Sequence, residues 1–229
     1  NIRFIILIVA VATLGGFMFG YDSGVINGTQ DGLEAAFDLS AVGTGMNVGA
    51  ILLGCSAGAF VAGRLADLIG RRKVMLLAAV AFLISAIWAG AADASIQFIL
   101  ARFVGGLGVG AASILAPAYI SEVTPASIRG RLSSVQQIMI IIGLTGAFVA
   151  NYALAATAGG STAEFWLGFP AWRWMFWMQV IPAGGYLAAL LFIPESPRYL
   201  IAKGRDAEAV AVLSKLFGPV EGARKAAEI

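Results

Sequence analysis

The protein is a chain of 229 residues in which 59% of the residues are hydrophobic and only 12% are charged, with a formal net charge of +2. This balance excludes an ordinary soluble domain, in which about a quarter of the residues are charged. The chain has no histidine and a single cysteine, which excludes histidine-based catalysis, proton relay and metal ligation as well as a disulfide framework.

Long apolar runs divide the sequence into six segments of about 20 residues, the length that crosses roughly 30 Å of hydrocarbon as a helix. The runs cover residues 4–26, 39–62, 74–92, 96–120, 135–158 and 174–193. They are too long and too continuously apolar to be the alternating strands of a membrane barrel. The first run is also too long for a cleavable signal peptide and is expected to stay as an anchor. The sequence therefore predicts an all-α membrane protein with six transmembrane helices in the lipid bilayer.

Charged residues alternate in sign between the links that join these runs. Residues 27–38 carry three acidic side chains and no basic one, whereas residues 63–73 carry three arginines and a lysine. Every lysine and arginine except Arg102 and Arg173 falls on one side of the predicted bundle, which the positive-inside rule assigns to the cytoplasm. We therefore expect a multi-pass protein of the cell membrane with both chain ends in the cytoplasm.

Residues 194–229 differ in composition from the predicted transmembrane domain, residues 1–193. Pro194 and Pro197 interrupt the helical pattern, and the segment DAEAVAVLSKLFG alternates apolar and charged residues like a short surface helix. We expect short cytoplasmic helices that form a linker segment. This segment has either a gating role or no role beyond that of a solvated surface.

Two charged residues lie well inside apolar runs, Asp22 in the first and Arg102 in the fourth. A charge costs about 2.5–3.5 kcal/mol at the centre of an inserted helix, so such residues usually face a cavity, pair with each other and mark a transport pathway. The first helix runs outward and reaches Asp22 near its end, whereas the fourth runs inward and reaches Arg102 near its start. Both residues are therefore expected in the outer half of the bilayer. We therefore predict that Asp22 and Arg102 form a pair, which is either a structural salt bridge or a functional one.

Glycines recur at every fourth position of the first run and form a smooth stripe on which another helix can pack closely. They are Gly16, Gly20, Gly24 and Gly28. At 3.6 residues per turn, Asp22 lies on the opposite side of this helix and shares a face with Phe19. Gly106 and Gly110 have the same spacing in the fourth run, so a close backbone approach is expected near Arg102.

The position of Asp22 points to a chemical role. Burial favours the neutral form of a carboxyl group, and a nearby guanidinium favours its ionised form. A conformational change that separates the pair would make Asp22 take up a proton. Since the chain has no histidine and Asp22 is the one acidic residue inside a run, Asp22 is the candidate proton carrier.

Several motifs resemble those of the sugar porter family of the major facilitator superfamily. The segment GRLADLIGRRK (residues 63–73) is similar to the superfamily's loop motif between the second and third helices. The segment GGLGVGAASILAPAYISEVTPASIRGRL has the family's glycine spacing, followed by Tyr119, Glu122 and Arg129. PESPR follows the sixth run, as in sugar porters, and FGYD resembles their proton-coupled members. The chain is thus similar to the N-terminal half of a sugar porter.

The resemblance implies a fold of two inverted three-helix repeats, as is general in the superfamily. It also implies that Asp22 and Arg102 form the proton-coupling pair. Related facilitators that do not couple to protons have asparagine at the position of Asp22, so the aspartate favours proton symport.

The resemblance further implies a sugar site on the first and fifth helices. An aromatic residue that matches Phe19 covers the apolar side of the sugar ring, and a glutamine that matches Gln137 donates and accepts hydrogen bonds. Ile140 and Ile141 share the helix face of Gln137 and are expected to line the same site. Leu144 stands where some relatives have a second glutamine, which leaves the sugar selectivity open. A glutamine that only bridges two helices is the alternative for Gln137.

Charged residues and glycines near the cytoplasmic helix ends form a candidate gate. Charge networks at these positions would latch the inner face closed, and in the family such networks join the two halves of the transporter. The predicted gate consists of Gly63, Arg64, Asp67, Gly70, Arg71, Glu122, Arg129, Glu195 and Arg198. Alternatively, these charges serve only to set the orientation in the membrane.

The resemblance also sets the expected partners. Members of this superfamily have about twelve helices in two halves, so we expect that the chain requires a C-terminal six-helix half and does not transport alone. The expected ligands are a proton and a monosaccharide, namely a hexose, pentose or polyol. No catalytic residue, cofactor, metal or nucleic acid is expected, and an enzyme is disfavoured because the spans contain no cluster of nucleophile, base or metal ligands. The remaining alternatives are an uncoupled sugar facilitator, a non-transporting membrane sugar sensor and a six-helix protein that dimerises.

Overall fold

Long helices make up most of the chain, as the apolar runs predict. In the computed structural model, which describes residues 2–229, five helices are long and apolar enough to cross a membrane. They are α1 (Ile2–Phe37), α2 (Ala41–Ile69), α3 (Arg71–Ala91), α4 (Ser95–Val123) and α5 (Ala126–Ala158). The prediction of a predominantly helical membrane architecture is confirmed. Asn1, with which the predicted transmembrane domain begins, lies outside the described residues.

The sixth predicted span is present as two consecutive helices instead of one. Helix α6 (Ala171–Met178) and helix α7 (Val180–Leu190) are separated by Gln179, whose backbone dihedral angles remain helical at φ −64° and ψ −21°. Pro182 explains the interruption, because it has no N–H to donate to the carbonyl of Met178 and its ring crowds that carbonyl. The chain keeps its direction, so the two helices together span about 30 Å at 1.5 Å per residue.

The helices extend beyond the apolar runs, so the links are shorter than predicted. Helix α1 continues beyond the first apolar run through residues 27–37, which include Asp31 and Glu34. It ends before Asp38, which has a positive φ of 49°. Only two residues join α4 to α5, so Glu122 and Arg129, which lie between the fourth and fifth apolar runs, are on helices. An apolar run records the thickness of the hydrocarbon, whereas helix ends are set by turn residues and by caps such as Ser40 at the start of α2.

A small β-hairpin forms part of the link between α5 and α6. Strands β1 (Glu164–Trp166) and β2 (Phe169–Pro170) are antiparallel. The two turn residues between them, Leu167 and Gly168, both have positive φ, 57° and 78°, as in type I′ hairpin turns. The sequence did not predict these strands, because strands of two or three residues are too short to show a period.

Helices α1 and α5 pack closely along much of their length. Gly16 of α1 lies against Gln136 of α5, and Gly28 lies against Asn151. The order of these contacts shows that the two helices run in the same direction. Because glycine has no side chain, the two backbones approach closely. The predicted packing role of the glycine stripe is confirmed.

Helices α2 and α4 form a matching parallel pair. Gly54 and Gly58 of α2 lie against Phe103 and Leu107 of α4. Gly106 provides the close approach that was predicted in the fourth run, and its neighbour there is also α2. In two three-helix repeats, the first span corresponds to the fourth and the second span corresponds to the fifth. The α1–α5 contact then corresponds to the α4–α2 contact. This packing agrees with two inverted three-helix repeats.

Three short helices follow the sixth span at the basic end of the bundle, defined as the end where α1, α3 and α5 begin. They are α8 (Pro197–Ala202), α9 (Asp206–Phe217) and α10 (Pro219–Glu228). Helix α9 lies beside the start of α1, and Phe4 and Val212 line a cavity of about 800 Å³ there. The prediction of short helices after the transmembrane bundle is confirmed.

Candidate functional site

The predicted pair, Asp22 and Arg102, is present in the interior of the bundle. Asp22 lies on α1 and Arg102 lies on α4, and a terminal guanidinium nitrogen donates a hydrogen bond of 2.6 Å to Asp22 Oδ1. Each residue is only 1% exposed. A charge-assisted hydrogen bond of this kind is stronger than a neutral one. It joins two helices whose residues are 80 positions apart in the sequence.

A third polar side chain completes this group, which we name the Asp22 cluster (Asp22, Arg102 and Gln179). Gln179 lies at the interruption between α6 and α7 and donates an amide hydrogen bond of 3.1 Å to the same Asp22 Oδ1. It is also 1% exposed. Gln179 was not among the predicted site residues, although an amide three residues before Pro182 in an otherwise apolar span was an available signal. Three spans therefore meet at one carboxylate oxygen.

Two polar atoms of the Asp22 cluster have no hydrogen-bond partner among the described residues. They are Asp22 Oδ2 and Arg102 Nε. The Arg102 guanidinium also lies 5.8 Å from the ring centroid of Phe176, within the range of a cation–π contact. A carboxylate oxygen without a partner can accept a proton or a hydrogen bond from water. Residues 2–229 contain no group of three or more acidic or cysteine side chains that could hold a metal ion.

The residues predicted to contact sugar lie at one level of α1 and α5. Gly20, which follows Phe19, packs on the backbone of Ile140. Phe19 and Ile140 are half-buried, whereas Gln137 and Ile141 are exposed. Within the part of the chain that the structure describes, no hydrogen bond joins Gln137 to the Asp22 cluster. The α5 face that carries Gln137 is therefore exposed.

Arg71 is the centre of an ion-pair network at the basic end, the Arg71 network (Asp67, Arg71, Glu122 and Ser196). Its guanidinium lies 2.8 Å from Asp67 near the end of α2 and 3.5 Å from Glu122 near the end of α4. Glu122 also accepts a hydrogen bond from the Ser196 hydroxyl, and Ser196 caps the start of α8. Predicted gate residues from three different helices are thus brought together with the segment that follows α7.

Glu195 connects the start of α3 to the segment after the sixth span. Its carboxylate accepts hydrogen bonds from the backbone N–H of Arg72 at 3.0 Å and of Ser196 at 2.9 Å. The Arg72 side chain in turn donates to the carbonyls of Leu190 at 3.0 Å and Leu191 at 2.8 Å. These carbonyls at the end of α7 have no intrahelical partner of their own. Arg72 was not among the predicted gate residues.

The other predicted gate residues have varied surroundings. Gly70 joins α2 to α3 with a φ of 108°, a conformation that glycine adopts readily. Gly63 has open space beside its backbone. Arg64, Arg129 and Arg198 form no ion pair with any residue between 2 and 229, and their role in a gate stays a prediction.

Comparison with known proteins identifies the family. The family model described as Sugar (and other) transporter matches residues 8–229. A glucose transport protein of Synechocystis sp. is 50% identical over 219 residues, which are 95% of this chain and 47% of that protein. An arabinose-proton symporter of Bacillus subtilis is 38% identical over 218 residues, which are 95% of this chain and 46% of that protein. The chain spans about half the length of these curated relatives.

Solved structures agree with this assignment. The proton:xylose symporter XylE of the major facilitator superfamily, bound to 6-bromo-6-deoxy-D-glucose, matches with a TM-score of 0.92 at 35% identity, over 100% of this chain and 53% of that chain. The partially occluded inward-open conformation of XylE from E. coli matches with a TM-score of 0.89 at 34% identity, over 98% and 58% of the two chains. The family and the fold are those of transporters and not of enzymes. The chain therefore belongs to the sugar transporter family of the major facilitator superfamily and corresponds to its N-terminal half.

Proposed function

We propose that this chain is one half of a transporter that carries a monosaccharide together with a proton across the membrane by alternating access. The observation that carries the proposal is the buried Asp22–Arg102 ion pair, in which one carboxylate oxygen has no partner. The names of two similar proteins, an arabinose-proton symporter and a proton:xylose symporter, support it. Asp22 is the proposed proton carrier, and Arg102 is its counter-ion.

Protonation of Asp22 at Oδ2 would change the forces between α1 and α4. The ionised carboxylate attracts the Arg102 guanidinium, and this attraction is little screened in the dry interior. The neutral acid retains hydrogen-bonding groups but loses the attraction between opposite charges. Proton binding therefore weakens the contact between the two helices. A ligand can shift a conformational equilibrium only through such a differential interaction.

Gln179 has a positioning role in this mechanism. Its amide bonds to Asp22 Oδ1 and leaves Oδ2 as the free acceptor for a proton. Gln179 also lies where Pro182 interrupts the sixth span, so a movement of α6 relative to α7 would alter this hydrogen bond directly. The sixth span is thereby linked to the protonation state of Asp22.

The sugar is proposed to bind at the level of α1 and α5 where Phe19 and Gln137 lie. The amide of Gln137 can donate to one hydroxyl group and accept from another, and the aromatic face of Phe19 can cover the apolar side of a sugar ring. Ile140 and Ile141 would supply an apolar wall. The relatives are about twice as long as this chain, so the C-terminal half is the proposed partner that supplies the opposite wall.

The basic end is proposed to face the cytoplasm of a cell-membrane protein and to carry the gate. Its excess of lysine and arginine supports this orientation. Asp67, Arg71 and Glu122 would hold the ends of α2, α3 and α4 together while the cavity opens to the outside. The transmembrane domain would comprise residues 1–193, and residues 194–229 would form a cytoplasmic linker that brings Ser196 to the Arg71 network.

Sugar transport by the full-length protein that carries this chain tests the proposal. The purified protein is placed in liposomes with an imposed pH gradient and compared with Asp22→Asn and with Asp31→Asn, which changes an exposed acidic residue of the same helix. We expect the gradient to drive sugar accumulation in the wild type and in Asp31→Asn only. Asp22→Asn should still equilibrate sugar, because the amide has nearly the same shape as the carboxyl group.

The possible outcomes separate the alternatives. Accumulation by Asp22→Asn at the wild-type level would contradict proton carriage by Asp22. Equal uptake by the wild type with and without the gradient would identify an uncoupled facilitator, and sugar binding without uptake would identify a sensor. Transport by the 229-residue chain alone would contradict the requirement for a second half.

A further inference from the structure

The β-hairpin between α5 and α6 forms a group of aromatic side chains with α6, at the end of the bundle opposite the basic end. We name it the hairpin aromatic cluster; its members are Phe165, Trp166, Phe169, Trp174 and Trp177. The ring centroids of Trp166 and Trp174 are 5.3 Å apart, and those of Phe169 and Trp177 are 5.2 Å apart. The hairpin thus folds back over the first turns of α6.

The cluster continues an exposed apolar stripe of the sixth span. Met178 and Ile181 are exposed, and Trp174 lies one turn before Met178 on the same helix face. Trp177 donates its indole N–H to the carbonyl of Ile87 on α3 at 3.2 Å, and the Ile87 side chain is itself exposed. The hairpin therefore lies over the outer, apolar surface of the bundle, away from the buried Asp22 cluster.

The tip of the hairpin carries an apolar residue that its backbone does not favour. Leu167 has a φ of 57° and is 68% exposed. Bulky residues rarely adopt positive φ, and type I′ turns prefer asparagine, aspartate or glycine at this position. The other non-glycine residue with positive φ in residues 2–229 is Asp38, a residue type that tolerates this conformation. An exposed leucine at this turn is unfavourable in water and favourable in an apolar phase.

Charged groups lie beside the cluster but not within it. Glu164, which begins β1, is exposed and places its carboxylate near Gly168 at the turn, and residues 165–172 contain no charged side chain. Arg173, the next residue, lies 3.1 Å from Asp93, which follows α3 and is strongly exposed. Tryptophan is enriched at the boundary between headgroups and hydrocarbon, where the ring meets the apolar side and the N–H meets the polar side. An ion pair next to exposed aromatic rings is the arrangement expected at this boundary.

We propose that the hairpin aromatic cluster is inserted at the headgroup–hydrocarbon boundary of the bilayer, with Leu167 entering the lipid, and that it anchors α6 there. The partner is the lipid surface. The proposal does not depend on sugar transport or on proton coupling. An anchored hairpin would fix the depth of α6 while the part of the sixth span beyond Gln179 remains free to move.

Spin labelling of the full-length protein in phosphatidylcholine vesicles tests this proposal. A nitroxide is attached at Leu167→Cys or, as a matched control, at Asp38→Cys, both in a background from which Cys55 and every cysteine outside these 229 residues have been removed. Asp38 is also an exposed turn residue with positive φ at the same end of the bundle. Electron paramagnetic resonance then measures how accessible each label is to oxygen, which concentrates in lipid, and to a water-soluble nickel complex. We expect a ratio of oxygen to nickel accessibility several-fold higher at position 167 than at position 38.

An equal ratio at the two positions would overturn the proposal, because both residues would then lie in water. The proposal would also be overturned if the label at 167 were inaccessible to oxygen and if added monosaccharide lowered its accessibility to nickel. That result would indicate a sugar-binding surface. If the labelled variants do not fold, the unmodified protein gives the same decision. The contribution of Trp166 to the fluorescence is the difference between the unmodified protein and Trp166→Phe. Lipid that is brominated near its headgroup should quench this contribution. If it is not quenched, the proposal is overturned.

Discussion

The Asp22 cluster and the Arg71 network both join several helices through ion pairs, but their surroundings differ. The side chains of Asp22 and Arg102 are at most 2% exposed, whereas those of Arg71 and Asp67 are 18% and 70% exposed. In the interior, removal of one charge leaves the other buried without compensation. At the basic end, water and salt ions reach the exposed Asp67, whereas the Glu122 side chain is only 8% exposed. The buried pair therefore suits a switch that depends on one proton, and the partly exposed Asp67–Arg71 pair suits a contact that opens and closes at little cost.

Substitution of Arg102 by methionine is expected to have the largest effect on stability. It leaves the buried Asp22 carboxylate without its counter-ion, which should lower the free energy of unfolding by about 3–5 kcal/mol. Thermal unfolding of the purified protein in detergent measures the loss. Adding Asp22→Asn to this variant should recover much of it, because both charges are then absent. A double variant that is no more stable than Arg102→Met would contradict a direct interaction.

Gln179→Leu tests whether the third member of the Asp22 cluster also contributes more to the free energy of unfolding than an exposed polar side chain does. The variant removes a hydrogen bond to a charged acceptor in the interior, and we expect a loss of about 1.5–3 kcal/mol in the free energy of unfolding. Gln97→Leu, the same change at an exposed glutamine, is the control and should cost clearly less. Equal unfolding temperatures for the two variants would show that the Gln179 amide contributes no more than an exposed one.

Gly20→Ala tests the close packing of α1 on α5, on the side of α1 opposite the buried pair. The added methyl group would overlap the backbone carbonyl of Ile140, so α1 and α5 would have to separate. We expect a loss of about 1–3 kcal/mol, as for other overpacked interiors, measured by thermal unfolding. Gly49→Ala on α2, where no atom lies within 4 Å of the new methyl group, should leave stability unchanged or raise it. A stable Gly20→Ala variant would contradict the direct contact of the two backbones.

Asp67→Asn is expected to have the smallest effect. The Asp67 side chain is 70% exposed, and exposed ion pairs contribute about 0–1 kcal/mol. The small loss should disappear in high salt, which screens exposed charges. Thermal unfolding at low and high ionic strength measures both quantities. A loss as large as that of Arg102→Met, or one that is insensitive to salt, would remove the distinction between the two regions.

The pairing of Asp22 with Arg102 could be predicted because charged residues are rare inside apolar runs. Because successive spans alternate in direction, a residue late in the first span and one early in the fourth are predicted at a similar depth in the bilayer. Gln179 was not found by this reasoning, because an amide in a span carries no charge. Its contact with Asp22 depends on how the interrupted sixth span lies beside α1, and a local sequence pattern does not contain that information.

Other features depend on contacts that no local pattern encodes. Arg72 bonds to backbone carbonyls 118 and 119 positions later in the chain, and every residue offers such a carbonyl. Predicted gate residues such as Asp67 and Glu122 could be found because the family motifs mark them. The β-hairpin was missed because its strands are too short to show alternation. What the sequence predicted well was therefore the helical membrane architecture and the buried charge pair, and what it missed was set by long-range packing.

The bonds from Arg72 to the carbonyls of Leu190 and Leu191 have a consequence for biosynthesis. Arg72 leaves the ribosome more than a hundred residues before the carbonyls that it caps. When the third span is inserted, the carbonyls that Arg72 will cap have not yet been synthesised. These hydrogen bonds can form only once the sixth span has been inserted. The packing of this half at its basic end is therefore completed only after the sixth span has been translated.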